Sequence, residues 1–173
     1  KIAFLVKVLV IGSEGQLGSE IKKFSKTQNK ISWVFSSIKS LDLSRLDTIS
    51  SFLKEINPAV IINCAAYTNV DKAETESKLA NTINYKAVEI ISKWTSAKNK
   101  KLIHISTDYV FDGLSKFPFS EKSKTKPVNE YGSSKLKGEI ACLKNDPNSM
   151  VIRTSWLYSS FGKNFVKTMI DLM

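Results

Sequence analysis

Two side chains four residues apart, Tyr131 and Lys135, carry the chemistry that this sequence suggests most directly. In an α-helix this spacing places both on one face, one turn apart. A neighbouring ammonium stabilises a phenolate, so we expect Lys135 to lower the pKa of Tyr131 and make its phenol a proton donor near neutral pH. The reduction of a ketone requires such a donor. Taken alone, the pair is also typical of a packing contact on a solvated helix.

A hydroxyl cluster and a glycine-rich loop precede this pair. Residues 106–109 read Ser-Thr-Asp-Tyr at the end of an apolar stretch, and Gly12, Gly15 and Gly18 follow the first apolar stretch of the chain. Glycines let the backbone turn tightly and approach a pyrophosphate, whose charge is met by free amides at the start of a helix. The spacing differs from Gly-x-Gly-x-x-Gly and indicates the variant of another branch of Rossmann enzymes. A strand-to-helix turn without a ligand is the alternative.

The end of the second apolar stretch bears on the choice of cofactor. An NAD-specific fold places an acidic residue there, whereas this sequence has Ser36, Ser37 and Lys39. Without a carboxylate a 2′-phosphate is not repelled, so we expect NADPH to bind, with NADH as the other candidate. Asp42 and Leu43 follow and are placed to flank the adenine, although Asp42 is equally typical of a turn or a helix N-cap.

Small residues close the third apolar stretch, in the run Asn-Cys-Ala-Ala-Tyr-Thr at 63–68. They allow a flat cofactor to approach the backbone, and a close-packed strand end is the alternative. Farther along, Asp71 and Glu74 have the spacing of a capping box, which we favour over a catalytic carboxylate pair. His104, the one histidine, is predicted to be a packed strand residue. Trp156 either stacks on a ligand or fills the core.

Composition excludes several other classes of protein. The 173 residues, 42% of them hydrophobic, predict one domain over residues 1–173. The net charge of +10 comes almost entirely from lysine, with Arg45 and Arg153 as the two arginines, so no nucleic-acid partner is expected. Cys64 and Cys142 have neither metal-ligand nor disulfide-framework spacing, which fits a cytoplasmic protein without a metal. No apolar stretch is long enough for a membrane span.

Apolar stretches and helix-period stretches alternate along the chain, which predicts an α/β fold, a doubly wound parallel sheet of the Rossmann type. Strands are predicted near Lys7–Ile11, Ile31–Phe35, Val60–Asn63, Leu102–Ser106 and Met150–Arg153. Helices are predicted near Gln16–Ser25, Leu46–Ile56, Asp71–Thr75, Leu79–Ala97, Asn129–Leu143 and Asn164–Leu172.

Five motifs in this order resemble those of the extended short-chain dehydrogenase/reductases and, within them, the dTDP-4-dehydrorhamnose reductase family. They are Gly-x-x-Gly-Gln-Leu-Gly from 12, Asn-Cys-Ala-Ala-Tyr-Thr-Asn-Val-Asp-Lys-Ala-Glu from 63, Ser-Thr-Asp-Tyr-Val-Phe-Asp-Gly from 106, Tyr-Gly-x-x-Lys-Leu-x-Gly-Glu from 131 and Arg-Thr-Ser-Trp from 153. The resemblance spans nearly the whole chain.

By position, the resemblance implies a cofactor site, a catalytic site and a sugar-nucleotide site. The cofactor residues are Gly12, Gly15, Gln16, Leu17, Gly18, Asp42, Leu43, Ala65, Ala66, Tyr67 and Thr68, joined by Tyr131 and Lys135. Thr107 would hydrogen-bond the reacting oxygen, Tyr131 would donate the proton, and Lys135 would hold the nicotinamide ribose. Asp108 and Trp156 would contact the nucleotide sugar. Hydride would pass to the C4 carbonyl of a dTDP-6-deoxy-hexulose, giving dTDP-L-rhamnose.

Members of this family continue into a small domain that closes over the sugar nucleotide, and this chain has no counterpart to it. We therefore expect the chain to bind a dinucleotide but not to reduce sugar nucleotides. The apolar run at 165–173 would then be exposed, which favours self-association and leaves a homodimer open. The N-terminal stretch Lys1–Val6 has no counterpart in the family either.

Three rival functions share this fold. A 4,6-dehydratase would have Thr-Asp-Glu where this chain has Tyr109 after Asp108, and an epimerase usually has serines at 107–108. The third rival is the non-catalytic regulatory subunit of methionine adenosyltransferase, a binding module. The intact set of Thr107, Tyr131 and Lys135 favours the enzyme.

Overall fold

Five parallel strands form one sheet in the order β2-β1-β3-β4-β5. The structure is a computed structural model that describes residues 5–173, so the first four residues of Lys1–Val6 lie outside it. The strands are β1 (Val6–Ile11), β2 (Ile31–Ser36), β3 (Val60–Asn63), β4 (Lys101–Thr107) and β5 (Met150–Thr154). All five predicted strands are confirmed within a residue, as is the doubly wound parallel arrangement. Their carboxyl ends therefore meet along one edge of the sheet.

Seven α-helices connect and flank the strands in the part of the chain that the structure describes. They are α1 (Gln16–Ser25), α2 (Leu46–Ile56), α3 (Val70–Thr75), α4 (Ser77–Asn81), α5 (Ala87–Ala97), α6 (Glu130–Asn145) and α7 (Phe165–Leu172). A 3₁₀ turn at Asp108–Val110 follows β4. The core lies where α2 and α5 cover the sheet, and it includes Leu9, Ile61, Leu53 and Ile91, all fully buried.

The helix predicted over Leu79–Ala97 is interrupted, because a π-helical turn at Thr82–Lys86 separates α4 from α5. The buried side chain of Asn84 lies in this turn. Its Oδ1 accepts from Tyr67 N at 2.9 Å, and its Nδ2 donates to Tyr67 O at 3.0 Å and to Ser134 Oγ at 2.9 Å. π-turns recur at functional positions in helices, and this one gives an amide that clamps the loop after β3 onto α6.

The capping box predicted for Asp71 and Glu74 is wrong. The N-cap of α3 is Asn69, whose Oδ1 accepts from Lys72 N at 3.0 Å. Glu74 instead reaches across to α6, where its Oε1 accepts from Glu130 N at 2.9 Å. Asparagine is as good an N-cap as aspartate, and an acceptor is needed at the exposed amides that begin α6.

The close packing of α6 on the π-turn depends on Gly138. A Cβ at this position would overlap the carbonyl oxygen of Asn84. We expect Gly138→Ala to lower the free energy of unfolding by about 1–3 kcal/mol, the usual range for overpacking, although alanine is the better helix former. Chemical denaturation measures this, with Lys144→Ala on the exposed side of the same helix as the control. Equal stability of the two variants would contradict the prediction.

Candidate active site

A cavity of about 590 Å³ opens where the carboxyl ends of β1, β3 and β4 meet the start of α1. It gathers motifs that lie far apart in the sequence. The predicted site residues that line it are Gly12, Gly15, Gln16, Leu17, Gly18, Asp42, Leu43, Ala65, Ala66, Thr68, Tyr131 and Lys135. The glycine loop, the loop after β3 and helix α6 thus face one another across a single space.

The glycine loop has the geometry that an anion-binding turn needs. Gly12 has φ of +81°, and a Cβ there would lie 2.6 Å from Ala65 N. Gly15 is the N-cap of α1 without a side-chain hydrogen bond, and the first turn contains no acidic residue. The amides at the start of α1 therefore have no side-chain competitor for a phosphate. These features fit a dinucleotide pyrophosphate.

The three residues predicted to accept a 2′-phosphate at the end of β2 differ in whether they line the cavity. Ser37 lines the cavity, and Lys39 is exposed beside it without lining it. Ser36 is 1% exposed and its Oγ lies 3.0 Å from Ser40 Oγ, so its side chain is used within the turn. Asp42 lines the cavity, and its Oδ1 also accepts from Ser44 N at 2.9 Å. Its position is therefore compatible both with a residue beside the adenine and with a turn residue. That hydrogen bond lowers the pKa of the Asp42 carboxyl.

Tyr67, predicted to line the cofactor groove, does not line the cavity. Its hydroxyl donates to Glu76 Oε2 at 2.6 Å, which raises the pKa of Tyr67 to about 12. The ring packs against the cluster of Ala73, Ala80 and Tyr131. Tyr67 therefore packs against α3, α4 and α6 and not on the cavity wall.

Tyr131 lies at the start of α6, 9% exposed. Burial raises the pKa of Tyr131, a hydrogen bond with Thr107 lowers it in part, and the nearby Asp108 and Tyr109 raise it. The predicted lowering of this pKa by Lys135 is therefore wrong. The physical reason is that the phenol is desolvated while the ammonium is engaged elsewhere.

Lys135 is 2% exposed, and its Nζ donates to Ile105 O at 2.6 Å. Burial lowers the pKa of Lys135 to about 8, and the nearby carboxylate of Glu139 opposes that shift. Glu139 is itself held by Arg153, whose Nη2 donates to Glu139 Oε2 at 2.7 Å. The charges of Arg153, Glu139 and Lys135 thus alternate in sign between β5 and the cavity.

The predicted substrate residues lie beside the main cavity. Thr107 Oγ1 accepts from Tyr109 N at 3.2 Å and donates to Asp108 Oδ1 at 3.1 Å. Asp108 and Trp156 both line a neighbouring cavity of about 500 Å³, and Ser155 Oγ donates to Asp108 Oδ2 at 2.7 Å. Trp156 is 74% exposed with φ of +52°, so the core interpretation of this residue is wrong.

Sequence reasoning missed a segment that crosses the cavity after β5. Leu157, Gly162 and Lys163 line the cavity, and Asn164 Nδ2 donates to Gln16 Oε1 at 3.0 Å. This bond joins residues 148 positions apart, so no local pattern predicts it. The one local signal is Asn164 itself, a typical N-cap that here also begins α7.

The described residues offer neither a metal-binding cluster nor a membrane-spanning helix. Residues 5–173 contain no group of three or more His, Cys, Asp or Glu side chains placed to hold a metal ion. Within the same range, no helix is both long enough and apolar enough to span a bilayer.

The parallel sheet and the glycine loop after β1 define a Rossmann-type nucleotide-binding fold, with Tyr131 and Lys135 on the wall of its cavity. Comparison with known proteins identifies the family within that class. The chain belongs to the family described as the RmlD substrate binding domain, whose model matches residues 6–173.

Three of the similar proteins are named dTDP-4-dehydrorhamnose reductase. dTDP-4-dehydrorhamnose reductase of Salmonella typhimurium is 39% identical over 96% of this chain, and that of Aggregatibacter actinomycetemcomitans is 36% identical over 97%. The crystal structure of the Bacillus anthracis enzyme in complex with NADP has a TM-score of 0.92 and 37% identity over 98% of this chain. The chain spans 56%, 57% and 60% of the lengths of these three proteins.

The buried ammonium of Lys135 makes stability depend on pH. Its pKa of about 8 in the folded state lies below the ordinary 10.5, so the unfolded chain binds this proton more tightly. The cost of burial is complete below pH 8 and disappears as pH rises to 10.5. We expect the free energy of unfolding, relative to Lys135→Met, to increase by up to about 3 kcal/mol over that interval. Denaturation at several pH values measures it. Lys144→Met is the exposed control, and a pH-independent difference for Lys135→Met would contradict the prediction.

The absence of a carboxylate at 36–40 predicts that NADPH binds at least as tightly as NADH. Calorimetric titration with each dinucleotide tests this. Ser37→Asp places a negative charge on the cavity lining and should shift the preference toward NADH by about tenfold or more, or about 1.4 kcal/mol. Ser96→Asp, exposed on α5, is the matched control for net charge. A tenfold preference of the unmodified chain for NADH would refute the prediction.

Proposed function

We propose that this chain is the dinucleotide-binding and catalytic domain, over residues 1–173, of an NAD(P)H-dependent reductase. The reaction is reduction of the C4 ketone of dTDP-4-dehydro-6-deoxy-L-mannose to dTDP-L-rhamnose, a nucleotide-sugar precursor of polysaccharides. One observation carries the proposal: Tyr131 and Lys135 lie together on the wall of the cavity that the glycine loop also lines. The names of the similar proteins support the same substrate. They give no support to the non-catalytic binding module.

Each side chain has a role that its surroundings suit. Tyr131 is the general acid that protonates the nascent alkoxide at C4, and Thr107 hydrogen-bonds the same oxygen. Lys135 holds the nicotinamide ribose, and the dinucleotide, when bound, supplies the hydride. Asp108 and Trp156 line the adjoining cavity, where they contact the sugar nucleotide.

The raised pKa of Tyr131 fits the direction of this reaction. A phenol that keeps its proton at neutral pH is ready to give it to an alkoxide, which is a far stronger base. Reduction therefore needs no prior ionisation of Tyr131, in contrast to oxidation by the reverse reaction.

The setting of the reaction follows from the same chemistry. NADPH is the favoured cofactor and NADH the alternative, since Ser37 and not a carboxylate lines the cavity after β2. We propose a cytoplasmic location, where both cysteines, free in the structure, stay reduced. A homodimer stays a prediction, which light scattering on the purified protein tests.

Replacement of the acid tests the function. In the full-length protein, Tyr131→Phe should lower turnover of dTDP-4-dehydrorhamnose by about 10²-fold or more, the usual loss for a positioned general acid. Affinity for NADPH should change little, because the ring remains. The assay follows NADPH consumption, and Tyr85→Phe, whose ring lies on the π-turn outside the cavity lining, is the control. Unchanged turnover of Tyr131→Phe would remove the phenol from the mechanism.

A further inference from the structure

A buried polar pair joins the carboxyl end of β3 to the middle of β4 behind the cavity. Asn63 and His104 are neighbours in the strand ladder, and both are 0% exposed. Asn63 Nδ2 lies 3.2 Å from His104 Nδ1. The roles assigned above do not use either side chain, and a fully buried imidazole is costly unless its nitrogens are satisfied.

The other contact of Asn63 determines which nitrogen of His104 carries a proton. Asn63 Oδ1 accepts from Ala65 N at 3.2 Å, so the amide NH₂ of Asn63 must face the imidazole. Nδ1 of His104 is then the acceptor, and the neutral ring holds its proton on Nε2. A flipped amide would place NH₂ against the Ala65 N–H, donor against donor.

Packing alone does not explain a histidine at this position. Within the described chain Nε2 has no hydrogen-bond partner, and it faces α6, 3.7 Å from where a Cβ of Gly138 would lie. An unpaired buried N–H costs stability that a leucine of similar size would not. The compensating benefit must come from the nitrogen that is paired, Nδ1.

We propose that His104, as the neutral Nε2–H tautomer, is a positioning residue for the dinucleotide, holding Ala65 on the cavity wall through Asn63. The inference rests on the proposed function for its ligand. Ala65 packs closely against the glycine loop, since a Cβ at Gly12 would lie 2.6 Å from Ala65 N. When the Asn63 amide loses its acceptor, it leaves Ala65 N, and the wall moves against the glycine loop.

The surroundings keep the imidazole neutral. Burial holds the pKa of His104 well below its ordinary value, and the charge of Lys135 on α6 lowers it further. A charged ring would turn Nδ1 into a donor facing the amide NH₂ of Asn63. The tautomer and the orientation of Asn63 therefore stabilise each other.

Two replacements of His104 by amide side chains of different length test the positioning role. The affinity for NADPH is the quantity measured. His104→Asn places its amide oxygen where Nδ1 lies and should bind NADPH within about threefold of the unmodified chain. His104→Gln extends toward Nε2 and leaves Asn63 without an acceptor, so its affinity should fall by about tenfold or more. Leu102→Ala, a core truncation on the same strand, should lower stability and leave affinity unchanged. Equal affinities of the Asn and Gln variants would overturn the proposal.

The imidazole itself gives a second readout, because the chain has one histidine. The ¹⁵N spectrum of the untagged protein at neutral pH should contain a single ring, protonated on Nε2 and not on Nδ1. A ring protonated on Nδ1, or on both nitrogens, would overturn the proposal without any ligand present. Failure of the unmodified chain to bind NADPH would instead refute the proposed function, and the tautomer would still be decided by this spectrum.

Discussion

The buried ammonium of Lys135 is the constraint on which the site depends. A charge so far from water is tolerated only with close partners. Here Ile105 O accepts a hydrogen bond from the ammonium, and Glu139 supplies a compensating charge one helical turn farther. Arg153 on β5 holds Glu139 in turn. These contacts fix the position of α6 against β4 and β5. Tyr131, one turn before Lys135, is placed at the cavity as a consequence.

The same helix is also fastened to the loop that forms the opposite wall. Asn84 holds both backbone groups of Tyr67 and the hydroxyl of Ser134, and Gly138 lets the helix approach that turn. Asn63 holds the other end of the loop at Ala65. The loop after β3 and helix α6 are therefore linked through hydrogen bonds of buried amides, and a change in these amides affects both.

Local patterns sufficed for the sheet and for most helices. The strands are largely apolar runs, buried mainly in β1, β3 and β4, and the glycines after β1 and the asparagine before α6 mark helix starts that the structure contains. The local patterns failed where a side chain found a distant partner. Asn84 in the π-turn accepts from Tyr67 N, and Glu74 caps α6 instead of its own helix. The hydroxyl of Tyr67 donates to Glu76. These contacts join distant parts of the chain, and the spacing of apolar residues in the sequence does not encode them.

Local sequence patterns predict the class of fold, the order of the strands along the chain and most of the residues that line the cavity, because each depends on neighbours within one element or one turn. The electrostatics of the site depend instead on the folded arrangement. The direction of the pKa shift of Tyr131 depends on its burial, and that of Lys135 on desolvation against a carboxylate from the next turn. The tertiary structure also brought the segment with Gly162 and Lys163 onto the cavity. Desolvation and long-range contact exist only once the chain has folded, so no spacing in the sequence encodes them directly.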